Sequence, residues 1–428
     1  MWSFRDISSL VWQAGAFGGQ KNYLVVFQNN NELRPGGGFI GSYGLLKIKN
    51  GLPKSFKVQS SNIFDRGIKN PEPAPTTNTV DANLFLKDGA VSGDFPTTAR
   101  LLTKIYQRQT AESIDGVISI TPTVIERLLS FTGSIYVPEY DKQFDQASFT
   151  RELQLEVEKG ADKQSGRNPK AILSFLAPKL LSSLINIQVK EYPRLKDMIS
   201  QAILEKQVMI YLADSDAQAK LSTFGLDAAL RNNQDDYLSV ISGSYGGTKS
   251  SQYVDQSISK EVSISDSSHL VTKLTVTRKL NAEKRDCYTD VNDQIERCLI
   301  GPDEAIIEVN IPEGSQILAY NNIEKADELS KNNLRVIRFP LPLIPGESKT
   351  VSIIYRHRGE VDRSLNYSFK YQKQPGWKGD AFSLYFNLPE YKIVSSKTSS
   401  NELQINEHQK TAKGYLKSDA VLDVELKK

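Results

Sequence analysis

The sequence predicts an α+β protein: an N-terminal α/β layered domain with a helical middle segment, followed by a C-terminal antiparallel β-sandwich. Strand and helix patterns alternate in the first half, as in layered α/β domains. The middle is rich in leucine at helical spacing, and from about residue 260 apolar residues alternate with a period of two. We expect a linker at 1–20, the α/β domain at 21–255 with its helical segment at about 150–206, and the sandwich at 256–428.

Length and composition limit the classes of protein to consider. A chain of 428 residues is too long for one ordinary core, so two or three domains are expected. The net charge of +3, from 53 basic and 50 acidic residues, argues against nucleic acid as the partner. No stretch approaches the roughly 18 to 20 uncharged apolar residues of a membrane span, and the N-terminus lacks the pattern of a signal peptide.

The first domain opens with a hairpin whose connection is rich in glycine. Strands are predicted at 23–28, 44–48 and 55–59, and the loop 29–43 joins the first two. Glycine lets backbone N–H groups approach an anion, and a neighbouring guanidinium can grip phosphate oxygens. The loop has no Walker lysine and no following helix, so an irregular hairpin remains the alternative. The candidate phosphate-binding residues in it are Arg34, Gly36, Gly37, Gly38 and Ser42.

Helix and strand signals follow in alternation. Asp94 is a predicted N-cap with Pro96 in the first turn of its helix, and a buried strand is expected at 117–120. Thr121-Pro122 is expected to cap a second helix that ends at Gly133, before a strand at 134–137.

Two leucine-rich stripes and a short α/β pattern complete this domain. One helix should begin at Asn168-Pro169, a second should bury a stripe from Leu195 to Ile203, and a strand and a short helix should follow at 208–212 and 217–224. Core packing explains the two stripes, and a groove for a lipid tail is the other interpretation.

The C-terminal half contains alternating strands and both cysteines. Apolar residues alternate at 270–276, 305–311 and 382–386, with Pro/Gly turns between strands, which is typical of a β-sandwich. Cys287 and Cys298 flank a polar loop between strand-like runs, so we expect a disulfide; two free thiols are the alternative. A disulfide would indicate an oxidising compartment. The three histidines of this half lack paired metal-ligand spacing.

Several segments resemble a known family. They are YLVVFQNNNELRPGGGFIGSYGLLKIKNG, VDANLFLKDGAVSGDFPTTARLLTKIY, IDGVISITPTVIERLLSFTGSIYVP and DYLSVISGSYGGTKSS, with YQKQPG at 371–376. They resemble, in order, the signature of domain-of-unknown-function family 4012, which occurs in bacterial cell-envelope proteins. Members commonly have an N-terminal transmembrane anchor. The resemblance therefore implies an extracytoplasmic protein tethered by an anchor helix that this sequence does not contain.

That family is in turn similar to the LytR-CpsA-Psr phosphotransferases, which use arginines, acidic residues and magnesium to move glycans from polyprenyl-pyrophosphate carriers. By position Arg34 resembles the arginine of their Arg-x-Asp motif, and Asp65-Arg66 loosely resembles a later Arg-Asp segment. The expected acidic residue two positions after Arg34 is Gly36. The resemblance implies Mg²⁺ as the cofactor. The candidate ligands are Asp81, Asn83 and Asp94, with Arg34, Asp81 and Asp94 as the catalytic candidates; helix capping and turn formation are the alternative roles of the acidic residues and Asn83.

Two functions follow from the resemblance. In the first, the chain binds a pyrophosphate-linked lipid or glycan, or another cell-wall or surface polymer, and transfers the phosphoglycan. Arg66 and Lys249 would then also contact phosphate, although Lys249 could equally be an exposed loop lysine. In the second, the chain is a non-catalytic adhesion or assembly module that keeps the fold, as the missing carboxylate at Gly36 suggests. An exported carbohydrate-binding protein is a third option, and the oligomeric state is not predicted.

Overall fold

The computed structural model describes residues 15, 17, 19–68, 71–73, 83–232, 234–265, 269–289, 295–360 and 364–428. These form two compact units. Unit 1 contains the described residues up to Ala229 together with Cys287–Arg297, and unit 2 contains Leu230–Asp286 with Cys298–Lys428. Both helices and strands are present, at 25% and 44% of the chain, so the predicted α+β class is confirmed.

Unit 1 is built on a five-stranded mixed sheet of order β3-β2-β1-β6-β9. β1 pairs antiparallel with β2 and parallel with β6, while β9 pairs antiparallel with β6. The strands of unit 1 are β1 (Gln20–Asn29), β2 (Phe39–Lys49), β3 (Leu52–Ser60), β4 (Glu72–Pro73), β5 (Asn83–Leu84), β6 (Gly116–Ile120), β7 (Ile135–Val137), β8 (Lys142–Phe144) and β9 (Val208–Leu212). The predicted strands at 23–28, 44–48, 55–59, 117–120, 134–137 and 208–212 correspond to β1, β2, β3, β6, β7 and β9.

Helices cover both faces of this sheet. The α-helices are α1 (Ser61–Arg66), α2 (Phe95–Thr110), α3 (Pro122–Thr132), α4 (Phe149–Lys159), α5 (Ala161–Gln164), α6 (Ile172–Ile185), α7 (Tyr192–Leu204) and α8 (Ser215–Thr223). Because side chains alternate across a strand, Leu24 and Val26 of β1 face the core that holds Leu102 of α2. Tyr23 faces the other side and packs in the core that holds Leu221 of α8. The unit is therefore layered as the alternating pattern predicted.

The middle helices bury less than their leucine content suggested. In α6, Ile172, Leu176 and Leu180 are buried and join the core of α3, α4 and the β7–β8 hairpin. In α7, Ala202 is buried but Ile199 is 40% exposed, so the predicted second stripe is largely a surface feature.

Two further details concern the helices of this unit. No single helix among the described residues is long and apolar enough to cross a membrane; the bent pair Ile172–Leu184 and Val189–Leu204, at 94°, passes by length and composition. Thr121 precedes α3 as predicted, but its side chain makes no capping bond. Its hydroxyl donates instead to Gln207 Oε1 at 2.7 Å.

Unit 2 is a sandwich of two seven-stranded sheets, of order β17-β18-β15-β10-β20-β25-β22 and β16-β19-β12-β11-β21-β24-β23. One large core fills the space between them. The strands of the two sheets are β10 (Asp236–Ser244), β11 (Val254–Ile264), β12 (His269–Leu280), β15 (Ala305–Pro312), β16 (Gln316–Asn321), β17 (Asp327–Lys331), β18 (Leu334–Pro340), β19 (Ser348–Glu360), β20 (Ser364–Tyr371), β21 (Asp380–Asn387), β22 (Lys392–Thr398), β23 (Leu403–Asn406), β24 (Thr411–Leu416) and β25 (Ala420–Lys427). A separate two-stranded sheet is formed by β13 (Arg285–Thr289) and β14 (Glu296–Ile300), and Cys287–Arg297 within it is assigned to unit 1.

The division between the units differs from the expected one. We placed it at residues 255/256, whereas the compact units divide at Ala229/Leu230. The reason is β10, which is buried along its whole length and lies in the middle of the first sandwich sheet, paired with β15 and β20. The sequence of β10 resembles that of the preceding strands of the α/β pattern. Its pairing with β15 and β20 shows that it belongs to the sandwich.

The predicted disulfide is present. Cys287 in β13 and Cys298 in β14 are bonded to each other across a two-stranded hairpin. The two thiols and Glu296 also have the spacing of a metal-binding group. Because disulfide sulfurs carry no thiolate charge, this group is not a metal site in the oxidised protein.

Candidate functional site

Gly37 and Gly38 of the 29–43 loop are required by backbone conformation and steric crowding. Gly37 and Gly38 have φ of +125° and +155°. A Cβ on Gly37 would lie 2.3 Å from Gln28 Oε1, and one on Gly38 would lie 2.5 Å from Asn29 O. These positions therefore need glycine to close the connection between β1 and β2, whatever the loop binds.

The backbone donors of the loop are largely committed to the protein. The Gly36 N–H donates to Ala90 O and the Gly37 N–H donates to Arg34 O, both at 3.0 Å. Gln28 Nε2 donates to the carbonyl oxygen of Gly36 at 3.0 Å. The glycine N–H groups of this loop were expected to bind an anion. The N–H groups of Gly36 and Gly37 are not available for that role, because both are hydrogen-bonded within the protein.

Arg34 is an internal cation. Its Nη2 lies 2.9 Å from Glu32 Oε1, and the two residues are 7% and 4% exposed. Its guanidinium carbon also lies 5.6 Å from the centroid of the Phe39 ring. Glu32 was not among the predicted site residues, although it stands two positions before Arg34 in the sequence. It supplies the negative charge that a buried guanidinium requires.

A second cation reaches the same ring from a distant part of the chain. Lys170, just before α6, has its Nζ 5.7 Å from the Phe39 centroid and donates a hydrogen bond to Gly41 O. Phe39, Gly41 and Lys170 are each half-buried, so this place reaches the surface. We call Glu32, Arg34, Phe39 and Lys170 the Phe39 cluster. No sequence motif pointed to Lys170, since 136 positions separate it from Arg34 and only the fold brings them together.

Asp65 is electrostatically coupled to Lys170. It is buried and accepts hydrogen bonds from the backbone N–H groups of Leu86 and Lys87, at 2.9 and 3.2 Å. Burial raises the pKa of Asp65, against the opposing effect of those two amides and of the charges on Lys87 and Lys170. Arg66, next to it in α1, is exposed.

The expected metal ligands do not form a described metal site. Asp94 caps α2, where its Oδ2 accepts hydrogen bonds from the Thr97 N–H at 3.1 Å and from the Thr97 hydroxyl. Asn83 is exposed in β5, Ser42 is buried in β2, and Asp81 lies outside the described residues. Mg²⁺ needs near-octahedral oxygen ligands. The positions of Asn83 and Asp94 do not supply such a set, and we derive no step through a metal.

Lys249 belongs to unit 2. It lies between β10 and β11, and its backbone N–H donates to Leu299 O at 2.6 Å. The residue is only 8% exposed. The alternative interpretation as an exposed loop lysine is therefore wrong.

A basic groove along α2 was missed by the sequence analysis. It has a volume of about 390 Å³. Arg100, Lys104 and Arg108 line it, and the i, i+4, i+8 spacing could have predicted this face. The Thr103 hydroxyl at the same groove is buried without a partner among the described residues. The groove is a second place in unit 1 where cations gather.

Three comparisons relate the chain to known proteins. Residues 18–157 match the family described as "Protein of unknown function (DUF4012)". This range contains the first three of the quoted segments, and DYLSVISGSYGGTKSS and YQKQPG lie outside it. No curated protein matches the chain.

Solved structures with local similarity include protein gbs0355 from Streptococcus agalactiae (12% identity, 51% of this chain and 76% of that chain, TM-score 0.31). Another is TagV from B. subtilis, of the LytR-CpsA-Psr family (12% identity, 49% and 81%, TM-score 0.28). A third is an M1 zinc metallopeptidase from Deinococcus radiodurans (12% identity, 40% and 42%, TM-score 0.22). Since these TM-scores are far below 0.5, the similarity does not extend to the arrangement of the whole chain.

Proposed function

We propose that this chain, whose residues 18–157 match the DUF4012 family, is an extracytoplasmic cell-envelope protein that binds a phosphate-bearing ligand at the Phe39 cluster without transferring it. The ligand class is a pyrophosphate-linked lipid or glycan, or another phosphate-bearing surface polymer. The family resemblance supports a location in the cell envelope, and the disulfide supports an oxidising compartment. The observation on which the site depends is the convergence of Arg34 and Lys170 on one aromatic ring.

Charge at the cluster favours an anion. Arg34 and Lys170 bring two cations to the Phe39 ring, whereas Glu32, which is ion-paired with Arg34, is the one acidic member of the cluster. Asp65 also interacts electrostatically with Lys170, and burial raises the pKa of this carboxyl. A phosphate at the half-buried edge of Phe39 would then form charge-assisted hydrogen bonds with Lys170, which are about twice as strong as neutral ones.

The carboxylates of this region favour binding over transfer. Glu32 is paired with Arg34, Asp65 accepts two backbone N–H bonds, and Asp94 caps α2. A transferase of the type considered above needs an acidic group to hold the metal or to accept a proton. These three acidic groups are already engaged in structural roles, and the position two residues after the arginine is Gly36.

The test is calorimetric titration of the intact chain with farnesyl pyrophosphate, inorganic pyrophosphate and farnesol. We expect both pyrophosphates to bind and farnesol not to bind. Lys170→Gln should weaken pyrophosphate binding by about ten- to a hundredfold, because a hydrogen bond to a charged group contributes about 1.5–3 kcal/mol. Lys196→Gln, at an exposed lysine of α7, is the matched control and should leave the affinity unchanged.

Two outcomes would overturn the proposal. If Lys170→Gln binds pyrophosphate as tightly as the unmodified chain while Arg100→Gln with Arg108→Gln abolishes binding, the anion site is the α2 groove. If the chain releases phosphate from farnesyl pyrophosphate in the presence of Mg²⁺, and Asp94→Asn stops the release, the protein is an enzyme. If farnesyl pyrophosphate binds more tightly than inorganic pyrophosphate, the farnesyl chain also contacts the protein next to the phosphate site.

A further inference from the structure

The sandwich of unit 2 contains a buried charged network. Lys260 of β11 and Asp236 of β10 are 0% and 1% exposed, with 2.8 Å between Nζ and Oδ2. Lys260 Nζ also donates to the Tyr355 hydroxyl at 2.6 Å, and the Tyr367 hydroxyl donates to Asp236. Burying two charges costs several kcal/mol per ion before they interact. The hydroxyls of Tyr355 and Tyr367 provide the additional hydrogen bonds that a buried ion pair requires.

His357 is one of the groups that this network orients. Lys260 Nζ donates to Thr272 Oγ1 at 3.3 Å, and Thr272 Oγ1 lies 2.7 Å from His357 Nε2. The Thr272 hydroxyl therefore connects the ammonium of Lys260 to the ring of His357. Burial lowers the pKa of His357 to about 4, so the ring is neutral near pH 7. A neutral imidazole has one nitrogen that donates a hydrogen bond and one that accepts.

A cavity of about 360 Å³ opens beside this ring. His357 and Ser315 line its buried part, and Leu270 adds an apolar wall. Ser315 is 2% exposed, and its hydroxyl has no partner among the described residues. A buried hydroxyl without a partner is costly, so a ligand that hydrogen-bonds to it gains more than one that meets a solvated group.

The rim of the cavity carries both signs of charge. Asp235, Arg358 and Asn366 line it and are exposed. Asp235 offers acceptors, Arg358 offers donors, and Asn366 offers both. The charged residues at the rim and in the network are balanced, which disfavours an ionic ligand. The unsatisfied hydroxyl disfavours a purely apolar one.

We propose that this cavity, the His357 cavity, binds one neutral saccharide unit. A pyranose presents hydroxyls that both donate and accept, together with an apolar face, and these match Ser315, His357 and Leu270. The volume is at the lower end of the range for small-ligand sites, which limits the occupant to a single sugar unit. This site belongs to unit 2 and does not depend on the Phe39 cluster of unit 1.

The test uses saturation-transfer-difference NMR and titration of the intact chain with glucose and N-acetylglucosamine. We expect weak binding of at least one of them. Ser315→Ala should weaken it about fivefold, the usual effect of one lost hydrogen bond, without lowering the thermal midpoint, because the hydroxyl has no protein partner to lose. His357→Gln should also weaken it. Ser395→Ala, at an exposed serine of β22, is the matched control and should bind as the unmodified chain does.

Either of two results would overturn this inference: no saturation transfer to either sugar at millimolar concentration, or binding that Ser315→Ala and His357→Gln leave unchanged. Lys170→Gln separates the two sites, since it should weaken pyrophosphate binding and leave sugar binding intact. Loss of sugar binding in Lys170→Gln would place the sugar at the Phe39 cluster and also overturn the inference.

Discussion

Single residues in this protein show how burial and charge compete. Burial raises the pKa of Asp236, but the charge of Lys260 and the hydrogen bonds from Lys260 and Tyr367 oppose that effect, and the pKa lies below the usual range. The same burial depresses the pKa of His357. Asp236 is therefore kept charged and His357 neutral in one connected network, because only one of them has a buried opposite charge 2.8 Å away.

His357 gives a pH-dependent stability. Unfolded, it takes up a proton near pH 6.5, whereas the folded protein does so near pH 4, so acidification over this interval favours the unfolded state. Urea unfolding of the unmodified chain should show a loss of about 3 kcal/mol in the free energy of unfolding between pH 6.5 and 4 from this residue.

The effect can be isolated by substitution. His357→Gln keeps an acceptor for Thr272 but does not titrate, so its loss over the same interval should be smaller by that amount. Parallel pH profiles for the two chains would contradict the assignment of a buried, neutral imidazole.

At the scale of elements, the N-terminus of α2 gives Asp94 a structural role as helix cap, which can be tested separately from a catalytic role. Its side chain accepts the N-terminal N–H of Thr97, as expected for an N-cap. Asp94→Ala should lower the free energy of unfolding by about 1 kcal/mol, whereas Asp94→Asn should retain most of it, since asparagine caps as well as aspartate. Thermal unfolding of the three chains measures this directly. Equal losses in both variants would show that the charge, and not the cap, is what matters.

The 29–43 loop shows that the role of a glycine-rich connection between two strands cannot be read from its sequence alone. Backbone freedom in a run of glycines serves an anion site or a crowded turn equally well, and residue types alone do not distinguish them. The contacts with Gln28 and Asn29 decide for the turn, because any Cβ at Gly37 or Gly38 would collide with them.

At the scale of the whole molecule, the disulfide indicates an oxidising compartment and contributes to the free energy of unfolding. Titration of the denatured, unreduced chain should detect no free thiol, since both cysteines are bonded. Replacing both by serine should lower the free energy of unfolding by about 3 kcal/mol in the chain-entropy model, because the unfolded chain is no longer cross-linked. Chemical unfolding of the two proteins provides the measurement. A free thiol in protein secreted through an oxidising compartment would contradict the proposed location.

The sequence by itself determined the class of fold, most strand and helix positions, the cap at Asp94 and the disulfide. All of these depend on periodicity, on capping residues or on short separations along the chain. Only the tertiary structure decided that β10 belongs to the sandwich, that Glu32 neutralises Arg34, and that Lys170 and Phe39 meet. It also decided that His357, without a motif, faces a cavity. These depend on contacts between distant segments, and the free energy of such contacts comes from burial and charge that no local pattern encodes.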